Sequence, residues 1–243
     1  MCTVSFVPLK NQEFILTSNR DETVARGLAS APTIIQKKNY RIVCPVDPLA
    51  SGTWIAASDY GDVICLLNGA FGRHKRKLPY RMSRGLVVPD YFEIGNPEIF
   101  NRDYDLTNIE PFTLVMVHRG NSLQLFELKW DGSRKYFQQL HQNEFHLWSS
   151  PTLYKNEMAE QKKIEFRKEL DAEKNISPEK LIAIHRHFLY ENWVRPPERV
   201  EVVSTLSITS VKETTQLLEM NYRDLVRKEI EIATIRLPIA AIQ

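Results

Sequence analysis

Runs of β-branched and aromatic residues come in pairs along this chain, each pair closed by a short polar turn, and that pairing limits the fold. Thr3–Val7 and Glu13–Ser18 flank one such turn. Thr33–Gln36 and Arg41–Pro45 flank Lys37-Lys38-Asn39, and Thr53–Ala57 and Asp62–Leu67 flank Asp59-Tyr60-Gly61. Phe112–His118 and Ser122–Trp130 meet at Arg119-Gly120-Asn121, where Gly and Asn tolerate positive φ. Lys135–Leu140 adds a strand, and Thr205–Val211, Gln216–Tyr222 and Ile230–Leu237 bring strands back near the end.

Helical patterns cluster between these groups. Arg81–Phe92 reads as a helix that Pro89 ends or kinks, and the highly charged Tyr154–Ala172 reads as a surface helix. Ser177-Pro178 opens a third, with Ser as cap and Pro at the first turn, burying Leu181, Ile184, Phe188 and Leu189. No βαβ unit repeats, so a doubly wound parallel sheet is excluded. The expected fold class is α+β, two antiparallel sheets under helical cover, in one domain spanning residues 1–243.

Composition narrows the function. The 243 residues are 43% hydrophobic and 26% charged, with a net charge of +2, so no strong overall field attracts nucleic acid. No apolar run approaches the roughly 20 residues of a membrane helix, and Met1–Pro8 leads into a polar turn rather than a signal sequence. The expected location is cytoplasmic. Three well-separated cysteines, Cys2, Cys44 and Cys65, suit a reducing compartment. His185 and His187, two apart on a helix, face different sides and do not share a metal; no metal or cofactor is expected.

Two features carry possible chemistry. The first is Cys2. Removal of Met1 would leave a thiol and an α-amine on one residue, and the amine, with an ordinary pKa of about 8, can accept a proton from the adjacent nucleophile. A small cysteine on a first strand also suits a plain buried apolar position. The second is Asn19-Arg20-Asp21-Glu22, directly after an apolar strand. Such a quartet is commonly a solvated turn. If the first two strands form a hairpin, however, it returns beside Cys2, where Asp21 would bind the amine and Arg20 would hold a thiolate or substrate carbonyl.

Met1-Cys2-Thr3 followed by Thr17-Ser18-Asn19-Arg20-Asp21-Glu22 resembles the start of the NRDE family, also called the transport and Golgi organisation family. Ser51-Gly52-Thr53-Trp54-Ile55, Leu66-Leu67-Asn68 and Ser83-Arg84-Gly85 resemble its next motifs in order, over roughly the first third of the chain. The family in turn resembles penicillin V acylases and bile salt hydrolases, N-terminal-nucleophile amidases with a four-layer αββα fold. The resemblance implies Cys2 as nucleophile, Asp21 as its amine partner, Arg20 as a substrate-facing cation and Asn68 as an oxyanion donor. Asn19, Ser149 and Arg84 are the implied substrate-binding residues. Ser149 stands where the amidases have asparagine, and Ser204-Thr205-Leu206-Ser207 lies near where they have an arginine.

The implied activity is hydrolysis or acyl transfer at a non-peptide carbon–nitrogen bond of a small-molecule substrate. The alternative is a non-catalytic binding or trafficking protein for an amphipathic ligand, whether lipid, acyl-coenzyme A or haem. Arg73-His74-Lys75-Arg76-Lys77, the densest basic run, reads as a solvated loop unless it borders the cleft, where it would attract an anionic ligand. No aromatic platform interleaves with it, against nucleic acid. Phe145, Trp148, Phe188, Tyr190 and Trp193 are expected in the core, Cys44 and Cys65 as inert buried thiols, and His118 and His146 as general-acid candidates or structural residues.

Overall fold

The computed structural model describes residues 3–194, 202–214 and 216–237. In chain order these form β1 (Thr3–Pro8), β2 (Phe14–Thr23), β3 (Thr33–Gln36), β4 (Arg41–Cys44), β5 (Ile55–Ser58), β6 (Val63–Asn68), α1 (Val87–Ile94) and α2 (Pro97–Asp103). There follow β7 (Phe112–Arg119), β8 (Leu123–Trp130), β9 (Lys135–Leu140), β10 (His146–Ser149), α3 (Asn156–Ala172), α4 (Pro178–His187) and α5 (Tyr190–Trp193). The last strands are β11 (Val203–Glu213), β12 (Leu217–Asp224) and β13 (Glu229–Arg236).

One antiparallel sheet has the order β10-β1-β2-β11-β12-β13 and the other is the meander β3 to β9. The expected hairpins are all present. What hairpin logic did not supply is the long-range pairing of β2 with β11, Thr17 opposite Ser210, which closes the first sheet around its N-terminal hairpin. Phe6, Leu16, Val63, Leu67, Val115, Val211 and Met220 form the core between the sheets. Val87, Tyr91 and Phe100 of α1 and α2 pack on the outer face of the meander, and Phe166, Leu181 and Phe188 pack α3 and α4 on the outer face of the other sheet. The result is the four-layer α+β sandwich.

Seven elements depart from expectation. β2 runs on through Asn19, Arg20 and Asp21, which are buried within it rather than forming a solvated turn. β10, α2 and α5 were not read from the sequence because each is short, and α1 begins only at Val87. Pro89 thus falls in its first turn, where the missing amide has no helical partner to lose. α3 lies on the surface but buries a stripe at four-residue spacing, Lys162, Phe166 and Leu170. α4 has its Ser177 cap and buries Leu181 and Ile184, yet stops at His187, leaving Leu189 outside the stripe. The aromatic residues expected in the core pack there, Phe188 and Tyr190 buried and the other three partly so.

His185 joins α4 to the sheet. Its Nδ1 donates to Asn19 Oδ1 at 2.8 Å and its Nε2 accepts from Ser5 Oγ at 2.8 Å, so the neighbours select one neutral tautomer. Asn19 completes the clamp by donating Nδ2 to the carbonyls of Phe188 and His185, at 3.1 and 3.4 Å. Burial, and then the charge of Lys162, pushes His185 down to about 3. A histidine depressed when folded binds its proton more readily when unfolded, so this stability is complete above about 6.5 and declines as pH falls towards 3. Urea denaturation should show that decline in the wild type, on the order of a few kcal/mol, and a flatter dependence in His185→Gln, which should also be less stable at pH 7.

Candidate functional site

The residues singled out from the sequence separate by strand alternation. On β2, Arg20 points between the sheets while Asn19 and Asp21 point to the helical layer. Arg20 is 3% exposed. Its Nη2 donates to Asp47 Oδ2 at 2.9 Å, and its guanidinium lies 5.0 Å from the ring centroid of Trp54. Asp47 is shared: Arg26 Nε donates to the same oxygen at 2.8 Å, and the amides of Leu49 and Ala50 donate to Oδ1, each at 3.1 Å. Burial raises Asp47, but the hydrogen bond and charge of Arg26, the Ala50 amide and Arg20 outweigh it and hold the carboxyl below its ordinary value.

Arg20, Arg26, Asp47, Trp54, Asn68 and Arg84 line one cleft of about 70 Å³. Its wall explains why two glycine motifs occur together. A side-chain carbon on Gly52 would lie 2.5 Å from the carbonyl carbon of Gly85, and the neighbouring Thr53 amide donates to the Gly85 carbonyl at 2.9 Å. Only bare backbone allows this approach. Asn68 ends β6 at the mouth, and its side-chain amide has no hydrogen-bond partner among the described residues. Trp54 Nε1 is buried and likewise without one.

Asp21, 2% exposed, accepts from Thr205 Oγ1 at 2.6 Å and from Tyr154 OH at 2.9 Å. Thr205 Oγ1 in turn accepts from the Tyr190 amide at 2.8 Å. Lys162, fully buried, sits 3.7 Å from the Tyr154 ring centroid and donates to Thr3 Oγ1 at 2.6 Å. None of Thr205, Tyr154 and Lys162 was anticipated as part of this surround. They lie far along the chain, and a lysine in a charged helix gives no sequence sign of burial.

The remaining expectations resolve as follows. Cys2 lies outside the described residues. Asn19 is not substrate-facing: it is fully buried and spends its amide on α4. Ser149 pairs with Thr3 at the edge of the sheet, and the adjacent Ser150 donates to the Asn68 carbonyl at 2.7 Å. Arg84 does line the cleft, bonded to the Pro111 carbonyl at 3.0 Å and paired with Glu110 at 3.2 Å. Burial lowers Arg84 beyond what Glu110 restores, yet a guanidinium starts so far above neutrality that it stays charged. His118 is bound to Asp62 at the other end of the sandwich, and His146 stacks on Trp148; neither lines the cleft. Cys44 and Cys65 are free and buried, and burial pushes their thiols up to about 11 and about 12.

The fold is shared with N-terminal-nucleophile hydrolases of known structure. A Caenorhabditis elegans ortholog of N-acylethanolamine-hydrolyzing acid amidase superposes with a TM-score of 0.57 at 11% identity, covering 86% of this chain and 92% of that one. Conjugated bile acid hydrolase from Clostridium perfringens superposes in two variants. An arginine-to-leucine variant gives 0.59 at 8% identity over 100% of both chains, and a cysteine-to-alanine variant 0.54 at 9% over 98% of both. No curated protein sequence matches the chain. The family model Transport and Golgi organisation 2 matches residues 1–221, and the chain belongs to that family.

Asp47 is the counter-ion on which the cleft wall rests. Asp47→Ala leaves Arg20 buried without its carboxylate and removes the acceptor of two turn amides. It should cost about 3–5 kcal/mol, the range for breaking a buried pair from one side. Urea denaturation of the variant at pH 7 measures it.

Proposed function

We propose that this protein is an N-terminal cysteine hydrolase or acyltransferase acting on a non-peptide amide, as one domain in the cytoplasm, with Cys2 as nucleophile. The carrying observation is the register of Thr3 opposite Asn19. The first described strand thereby begins beside Arg20 and Asp21, one peptide link from Cys2, and consecutive Cα atoms are about 3.8 Å apart. The free thiols Cys44 and Cys65 suit a reducing compartment.

The chemistry follows from one residue carrying both groups. After Met1 is removed, the α-amine of Cys2 takes the thiol proton and the sulfur attacks the substrate carbonyl carbon. A C–S bond forms, and the carbonyl electron pair moves to oxygen, towards the Asn68 amide. The pair returns, the C–N bond breaks, and the amine leaves with the proton. Water, or a second acceptor, then attacks the thioester and restores the thiol. In this scheme Asp21 anchors the amine and Arg20 sets a positive field at the thiolate.

A second reading, non-catalytic binding or trafficking of an amphipathic ligand such as a lipid, acyl-coenzyme A or haem, is favoured by one observation. Phe71, Pro151, Leu153, Met158 and Val194 form the apolar part of a hollow that also takes in Lys155, Asn156 and Glu157 and reaches Arg73 of the basic loop, an amphipathic lining. The two readings part on the thiol. On the enzymatic reading, mass spectrometry finds Met1 removed and one thiol alkylated rapidly. Cys2→Ala abolishes turnover of an amide substrate while melting like the wild type, and turnover retained in that variant excludes the role. Asn68→Ala should lower kcat by about 100–1000-fold, the usual effect of losing an oxyanion donor.

A further inference from the structure

We propose that the hollow beside the cleft, formed by Arg73, His74, Arg76 and Arg84, is a recognition site for an oxyanion group, phosphate or carboxylate, at one end of the ligand. It deepens the reading of the cleft as a ligand site and does not depend on the chemistry of Cys2. The hollow and the cleft share Asn68 and Arg84, so one molecule can occupy both.

The basic run is exposed except at His74, and its members differ in direction: Arg73, His74 and Arg76 line the hollow, whereas Lys75 and Lys77 lie outside the lining. Glu110 is the carboxylate of the lining and organises three cationic or protonatable side chains at once. It accepts from Arg76 Nε at 3.1 Å, lies 3.1 Å from His74 Nε2, and pairs with Arg84 Nη2 at 3.2 Å. Burial raises Glu110, but the charge of Arg84 and the bonds from His74 and Arg76 hold it below its ordinary value.

One carboxylate against three guanidinium groups leaves the hollow positive. The donor count points the same way. Each guanidinium has five N–H donors in a planar fork that matches a carboxylate or phosphate. Arg73 donates through Nε to the Thr152 carbonyl at 3.1 Å, and Arg76 directs Nε and Nη2 to Glu110. The terminal nitrogens of Arg73 and Nη1 of Arg76 have no partner among the described residues. Arg76 is held by Glu110 and Arg73 by the Thr152 carbonyl before any ligand arrives, so their remaining donors lose little freedom on binding.

The test is calorimetric titration of the full chain at low ionic strength with inorganic phosphate and, separately, propionate. Saturable binding of either anion is expected, weakened about tenfold or more in Arg73→Gln/Arg76→Gln, as for the loss of charge-assisted bonds. Arg73→Gln alone, outside the Glu110 cluster, should weaken it in part and serves if the double variant does not fold. Lys75→Gln/Lys77→Gln removes the same charge and should leave binding within about twofold. Tighter phosphate indicates a phosphate-bearing ligand and tighter propionate a carboxylate; both support the site. Absence of saturable binding, or an equal loss in the lysine pair, overturns it. Cys2→Ala should bind the anion like the wild type, so failure of the catalytic reading and failure of this site are read separately.

Discussion

Arg20 is a cation held almost wholly inside the protein, and Asp47 makes that placement possible. Taking a charge out of water is costly unless a partner and hydrogen bonds replace the solvent. Asp47 supplies both, because its second oxygen is anchored by the turn amides of Leu49 and Ala50. The loop carrying Asp47 closes on Gly52, which abuts Gly85, which precedes α1. One ion pair between β2 and a loop of the other sheet therefore ties the two sheets together at the mouth of the cleft.

The same strand builds a second environment on its other side. Asn19 and Asp21 face the helices, where Asn19 serves packing and Asp21 is gripped by Thr205 and Tyr154. Three consecutive polar residues thus have three different duties because a strand turns its side chains alternately. Their burial is tolerated because each polar group meets a designated partner, the condition for placing such residues in a core.

Likeness of fold across identities of 8–11% transmits architecture and not chemistry. The cleft has local peculiarities that the fold alone does not dictate: an indole under Arg20, an Asn68 side-chain amide without a partner among the described residues, and a neighbouring hollow rich in arginine.

Much of the fold was legible because antiparallel pairing between neighbours in sequence is announced by turn chemistry and period-two hydrophobicity. Thus the hairpins β1–β2, β5–β6 and β7–β8 could be read directly, as could the Ser177 cap. The ordered motifs ending in Asn68 and Arg84 marked two residues that do share the cleft. Tertiary structure alone decided the rest. Whether the Asn19–Glu22 quartet was a turn or a buried strand depended on β11, nearly two hundred residues away, covering its backbone. Lys162, Tyr154 and Thr205 meet Thr3 and Asp21 only through packing of α3 and β11 on the N-terminal hairpin, and Asp47 meets Arg20 only when the sheets stack. Local sequence encodes backbone preference within a few residues, whereas the partner of a buried charge is chosen by which surfaces come together.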